Sequence, residues 1–178
     1  MWALIPLLML LAAPSCPQKA GAAELEKMTA AKLPKFIAAY QKELKAVDSA
    51  YQDLTRLEPP LRDESGKTLT PESLRNRLKP IPYIMETSQQ LLANPDDVSA
   101  ALRLFIETET LTDDLSDLTE TCYDNDQEEM ADRLSTLATT LHHEKHLIES
   151  YALHLAEEMQ ERLRLLEREN QDLRSKLH

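Results

Sequence analysis

The chain has 178 residues, a net charge of −11 and two glycines, Gly21 and Gly66. Phosphate-binding loops and dinucleotide-binding turns need several closely spaced glycines, so this composition excludes both kinds of nucleotide site. Sandwiches and barrels of strands need many tight turns, and nucleic-acid binding needs clustered cations, so both are excluded as well. Helix-forming residues are abundant and aromatic residues make up 4 % of the chain, which predicts an all-α protein.

Residues 1–22 have the pattern of a signal peptide. Trp2 to Ala13 form an apolar run broken only by Pro6, too short to span a bilayer but typical of the hydrophobic region of an export signal. Ala20-Gly21-Ala22 matches a small-x-small cleavage pattern, which predicts a mature chain that starts at Ala23. The alternative is an apolar N-terminal helix that stays in the fold.

Cys16 indicates a second route of export. Ala13-Pro14-Ser15-Cys16 resembles a bacterial lipobox, although leucine is missing from its first position. The resemblance implies cleavage before Cys16 and lipidation of its thiol, which tethers a chain to a membrane without a spanning helix. Both routes predict export to the periplasm or the extracellular space, with membrane contact only through the signal peptide or a lipid anchor.

Residues 24–155 are predicted to form an antiparallel bundle of about four helices. The first helix runs from Pro34 or Lys35 to Leu57, because its apolar side chains recur at steps of three and four residues. These side chains are Phe36, Tyr40, Leu44, Val47, Tyr51 and Leu54. Pro59-Pro60 ends this helix, and a polar loop over 58–69 holds Gly66.

The second helix is expected to begin at Thr70-Pro71-Glu72, where threonine can cap and proline suits the first turn. Pro80 and Pro82 must kink or split it before Tyr83–Leu92, since proline lacks the N–H group of a helix interior.

The third helix should begin near Asn94-Pro95-Asp96-Asp97 and run to about Thr121. Its predicted inward-facing residues are Val98, Leu102, Phe105, Leu115 and Leu118. A turn is expected over 122–127, where Asp126 and Glu129 have the spacing of a capping box. Cys122 continues the apolar stripe, which favours a buried thiol over an intermolecular disulfide.

The fourth helix should run from Gln127 nearly to the end of the chain. At 1.5 Å per residue it is roughly 75 Å long, whereas the first helix is roughly 33 Å long. Residues 156–178 are therefore predicted to project beyond the bundle as a coiled coil.

A heptad pattern supports this coiled coil. Its core positions are Leu163, Leu166, Asn170, Leu173 and Leu177. The pattern resembles a leucine-zipper-type parallel dimer, in which an asparagine at an a position specifies the register. Across such a pair Arg162 faces Glu167, and Glu169 faces Arg174. The alternatives are an amphipathic tail that packs on its own bundle and a solvated helix end.

His142, His146 and Glu149 are the candidate metal ligands. At spacings of i, i+4 and i+7 they share one face of a helix, from which they can bind Zn²⁺ or Cu²⁺. The His-Glu-x-x-His motif of zinc proteases is missing, and so are the Glu-x-x-His pairs of di-iron bundles. A solvated helix face is the alternative interpretation.

Eleven acidic residues, and no lysine, arginine or histidine, lie between Phe105 and Asp132. They are Glu107, Glu109, Asp113, Asp114, Asp117, Glu120, Asp124, Asp126, Glu128, Glu129 and Asp132. Such a dense field should attract a cation or a basic partner. The alternatives are a solvated face and partial neutralisation by Arg75, Arg77 and Lys79.

The sequence predicts neither an enzyme nor a cofactor, because it contains no nucleophile elbow and no base beside Cys122. We expect a non-catalytic exported interaction protein. It forms a homodimer through residues 163–177 and offers its acidic face to a basic protein, an envelope partner or a cation. The alternative is a periplasmic helical bundle that binds a metal or a small ligand at His142, His146 and Glu149.

Overall fold

The computed structural model describes residues 28–176 and contains, within that range, five helices and no strand. The helices are α1 (Leu33–Leu54), α2 (Pro71–Leu78), α3 (Pro80–Ala93), α4 (Val98–Asp124) and α5 (Glu128–Lys176). The all-α fold with a long C-terminal helix is therefore confirmed. The predictions for residues 1–22, including Cys16, and for Leu177 lie outside the described residues.

Four of the helices form an antiparallel bundle. The helices α1 and α4 each pack against α3 and α5, and the short α2 packs against α1. The helices α1 and α4 lie diagonally across the bundle and run in the same direction. This is shown by the contacts of Tyr40 with Thr108 and of Tyr51 with Asp114. None of the described helices combines the length and apolarity needed to cross a membrane.

Local sequence signals set the ends of α2 and α3 as predicted. The Thr70 hydroxyl accepts a hydrogen bond from the Ser73 backbone N–H at 3.1 Å, and Pro71 occupies the first turn. Helix α2 ends at Leu78 and α3 begins at Pro80. The second predicted helix is therefore split at Pro80, where proline interrupts the helical hydrogen bonding.

The core follows the predicted stripes with one clear error. Tyr40, Leu44 and Tyr51 of α1 are fully buried, as expected. Leu102, predicted to face inward, is instead 43 % exposed. The buried face of α4 passes through Leu104, and Leu102 lies two residues away, on nearly the opposite side of the helix.

The turn between α4 and α5 is hydrogen-bonded to the loop that follows α1. The Asn125 side-chain amide donates to the Arg62 backbone oxygen at 2.8 Å, and the Arg62 N–H donates to Asn125 Oδ1 at 2.9 Å. Asp126 has φ 57°, a left-handed conformation that aspartate tolerates better than most residues. The turn is shorter than predicted, since α4 continues to Asp124.

Candidate functional site

The last part of α5 extends beyond the bundle. Leu155 is its last buried residue, and 157–176 are exposed throughout. This exposed segment of about 20 residues is about 30 Å long. It leaves the bundle with no other described helix beside it.

An exposed apolar stripe runs along this segment. Leu163, Leu166 and Leu173 are 54 %, 54 % and 60 % exposed, and Met159 precedes them at the same heptad spacing. Leu165 is also exposed but lies off the stripe. Single exposed leucines are common on protein surfaces, whereas a heptad row of them is typical of a helix-pairing seam. Pairing with a second copy stays a prediction.

His142 and His146 lie in contact on the exposed face of α5. Their Nε2 atoms are 3.1 Å apart, and their rings meet edge to face with centroids 4.6 Å apart. Glu149 Oε2 lies 3.1 Å from Nδ1 of His146, on the other side of the ring. The carboxylate therefore does not converge with the two Nε2 atoms. Within residues 28–176, no group of three or more His, Cys, Asp or Glu side chains is placed to hold a metal ion.

Part of the predicted acidic face is neutralised internally. Asp114 Oδ1 accepts from Arg77 Nη1 at 2.6 Å, as expected from docking of the second predicted helix on the third. Glu109 forms an ion pair with Lys145 at 3.5 Å. Arg75 and Lys79 are exposed.

Eight of the eleven acidic side chains remain exposed. They are Asp113, Asp117, Glu120, Asp124, Asp126, Glu128, Glu129 and Asp132. Three of the eight line a cleft of about 420 Å³ that also receives Asp63 and Glu64 from the loop after α1. The fold thus brings carboxylates from two separate parts of the chain to one end of the bundle.

Glu144 is a buried carboxylate that the sequence did not identify as a site residue. It is 8 % exposed and its Oε2 atom has no hydrogen-bond partner. Burial, and then the charge of Glu43, raise the pKa of Glu144 to about 7. The sequence feature that indicates its burial is its position in the apolar stripe of α5, between Leu141 and Ile148.

Glu144 belongs to a polar centre inside the bundle. The buried Tyr40 hydroxyl and Thr108 Oγ1 are 2.6 Å apart, and Thr108 donates to the Leu104 carbonyl oxygen. Burial raises the pKa of Tyr40, and the charges of Glu144 and Glu107 act in the same direction. Glu107 Oε2 is also buried without a partner.

Cys122 is buried and free, as the apolar stripe of the third predicted helix indicated. Burial raises the pKa of its thiol to about 11. The thiolate is the nucleophilic form of cysteine, and burial disfavours that form.

No protein family model, curated protein or solved structure matches this chain.

Proposed function

We propose that this protein is an exported, non-catalytic interaction protein that forms a parallel homodimer through the projecting end of α5. The observation that carries this proposal is the exposed heptad stripe of Leu163, Leu166 and Leu173 beyond the last buried residue of the bundle. Export rests on the signal-peptide pattern of residues 1–22.

The energetics of a lone helix support pairing. An isolated helix of this length is marginal in water, and most helix stability in proteins comes from packing of an apolar face. The first part of α5 is anchored in the bundle by Leu141, Ile148 and Leu155. The bundle therefore nucleates the projecting segment, and pairing removes its leucines from water at about 25 cal/mol per Å² of apolar surface.

Asn170 and the flanking charges favour a parallel arrangement. In a parallel pair, Asn170 lies at an a position opposite its own copy, where the two amides can hydrogen-bond. The same register places Arg162 opposite Glu167 and Glu169 opposite Arg174, so both kinds of flanking pair attract.

The dimer is tested with two variants of the full chain. Leu166→Lys with Leu173→Lys places charges in the seam, and sedimentation equilibrium at tens of micromolar should change from a dimer to a monomer. Leu165→Lys is the matched control, because it introduces the same residue at a similarly exposed leucine outside the stripe. This control should remain dimeric.

The helix content of the double variant shows whether its change from dimer to monomer comes from the projecting segment alone. Circular dichroism of the double variant should lose signal only from the projecting segment, since the bundle is untouched. A monomeric unmodified chain at this concentration, or equal weakening by Leu165→Lys, would contradict pairing through the stripe.

The exposed acidic cleft supports the second part of the proposed function, which is attraction of a basic partner. Polylysine is a suitable probe, and its binding should weaken steeply with salt because exposed charges are screened within about 10 Å at 0.1 M salt. Neutralising the cleft with Asp117→Asn, Glu120→Gln and Asp124→Asn should reduce polylysine binding at low salt at least about tenfold, which corresponds to about 1.4 kcal/mol.

A charge-matched control separates this cleft from the net charge of the chain. It removes three carboxylates from the projecting segment with Glu157→Gln, Glu161→Gln and Asp172→Asn. Binding should fall much less in this control. Equal loss in the two triple variants would show general charge attraction and would overturn a docking role for the cleft.

A further inference from the structure

We propose that His142 and His146 form a two-histidine site for a divalent transition-metal ion, Cu²⁺ or Zn²⁺, in which Glu149 positions His146 and is not a ligand. This site is independent of the projecting segment and of the acidic cleft. It also revises the sequence-based set of three ligands, because the carboxylate is placed elsewhere.

The distance between the two ring nitrogens fits a shared ion. A metal bound by two imidazoles at 2.0–2.1 Å in tetrahedral geometry holds its nitrogens about 3.3 Å apart. The Nε2 atoms of His142 and His146 are already 3.1 Å apart, so the separation of the two nitrogens needs little change and the two rings must turn their lone pairs towards one ion. The remaining coordination positions are open to water, since the pair lies on an exposed face.

Glu149 has the contact that a metal-ligating histidine needs on its other nitrogen. Its Oε2 atom lies 3.1 Å from Nδ1 of His146, which favours a proton on Nδ1. That tautomer leaves the Nε2 lone pair for a metal. Histidine ligands almost always donate their second N–H group to a carboxylate, a carbonyl or water, and this contact raises their basicity.

The helix beneath the pair holds the two histidines in place. Leu141, Ile148 and Leu155 bury the opposite face of α5 in the core, so the i,i+4 spacing is set before an ion arrives. Preorganisation of this kind lowers the cost of binding. His142 also borders a groove between α4 and α5.

Isothermal titration of the full chain with Zn²⁺ and, separately, Cu²⁺ tests the site. We expect binding tighter than about 1 mM with one ion per chain, and tighter binding of Cu²⁺ than of Zn²⁺. The His146→Ala variant should lose this binding. The His143→Ala variant, which removes an exposed histidine from another face of the same turn, should retain it.

Glu149→Gln separates a positioning role from a ligand role. Loss of an outer carboxylate typically weakens binding 10- to 100-fold, and electron paramagnetic resonance of the Cu²⁺ complex should still show two imidazole nitrogens. Binding weaker than about 1 mM in the unmodified chain, or binding unchanged by His146→Ala, would overturn the site. A Glu149→Gln loss as complete as that of His146→Ala, or a Cu²⁺ spectrum with one nitrogen, would overturn the positioning role.

Discussion

Glu144→Gln is expected to stabilise the protein at pH 8 by about 2–3 kcal/mol and at pH 5 by less than about 1 kcal/mol. The folded-state pKa of Glu144 is about 7 and the ordinary value is 4.5, because burial disfavours the charged carboxylate. Above pH 4.5 the carboxyl group of Glu144 therefore ionises more easily in the unfolded chain than in the folded one, and this lowers the free energy of unfolding. This loss of stability grows up to about pH 7 and is constant at higher pH.

Burial and the like charge of Glu43 on α1 both raise the pKa of Glu144. Glu107, whose Oε2 atom is buried without a hydrogen-bond partner, adds a negative charge that acts on Tyr40. Lys145 is adjacent in sequence but forms its ion pair with Glu109. None of these neighbours offsets the negative charge that ionisation would place on Glu144. The neutral form of Glu144 is therefore favoured in the folded state.

Urea unfolding between pH 5 and pH 8 measures this effect. It is done at one protein concentration, because the proposed pairing would make stability concentration-dependent. The free energy of unfolding should fall as the pH rises in the unmodified chain, and the fall should be smaller in Glu144→Gln. Glu157→Gln is the control, since it removes an exposed carboxylate from the same helix. If the two variants have the same pH dependence, the assignment to Glu144 is wrong.

Local signals predicted much of this fold because they act within one turn of helix. Thr70 caps α2 and Pro80 separates α2 from α3, and both effects follow from the residue type and its immediate neighbours. The long α5 follows from the lack of proline and glycine after Pro95. None of these inferences needed knowledge of which helix packs against which.

The errors arose where packing, not hydrophobicity, decides which residue is buried. Part of the core face of α4 is made of small residues such as Ala101 and Thr108, and Thr108 donates its hydroxyl to the Leu104 carbonyl oxygen. A search for large apolar residues therefore favoured Leu102, which faces outward. Glu144 was missed for the same reason, since a charged residue in an apolar stripe looks like an interruption.

The histidine face shows which part of a site a sequence can predict. Helical periodicity places His142, His146 and Glu149 on one side of α5, and in the structure His146 contacts both of the others. Which nitrogen each partner contacts depends on side-chain rotamers. That detail changes Glu149 from a predicted ligand into a proposed positioning residue.

Asp114→Ala is expected to lower the free energy of unfolding by about 2–3 kcal/mol, because hydrogen bonds to charged groups are each worth about 1.5–3 kcal/mol and burying an unpaired hydroxyl is costly. Asp114 on α4 accepts from the Tyr51 hydroxyl of α1 and from Arg77 of α2, both at 2.6 Å. Tyr51 is fully buried. Burial and the contact with Asp114 raise the pKa of Tyr51, so its hydroxyl stays protonated and donates.

Asp113→Ala is the matched control for Asp114→Ala, because Asp113 is the exposed neighbour in the same helix and surface substitutions usually change stability by less than about 0.5 kcal/mol. A double-mutant cycle with Tyr51→Phe should give a coupling energy of at least about 1 kcal/mol, since removing both partners leaves no unpaired hydroxyl. The cycle with Arg77→Ala should give less, because this ion pair is partly exposed and solvent weakens it. Equal effects of Asp113→Ala and Asp114→Ala would mean that Asp114 contributes only to the acidic face and does not join the three helices.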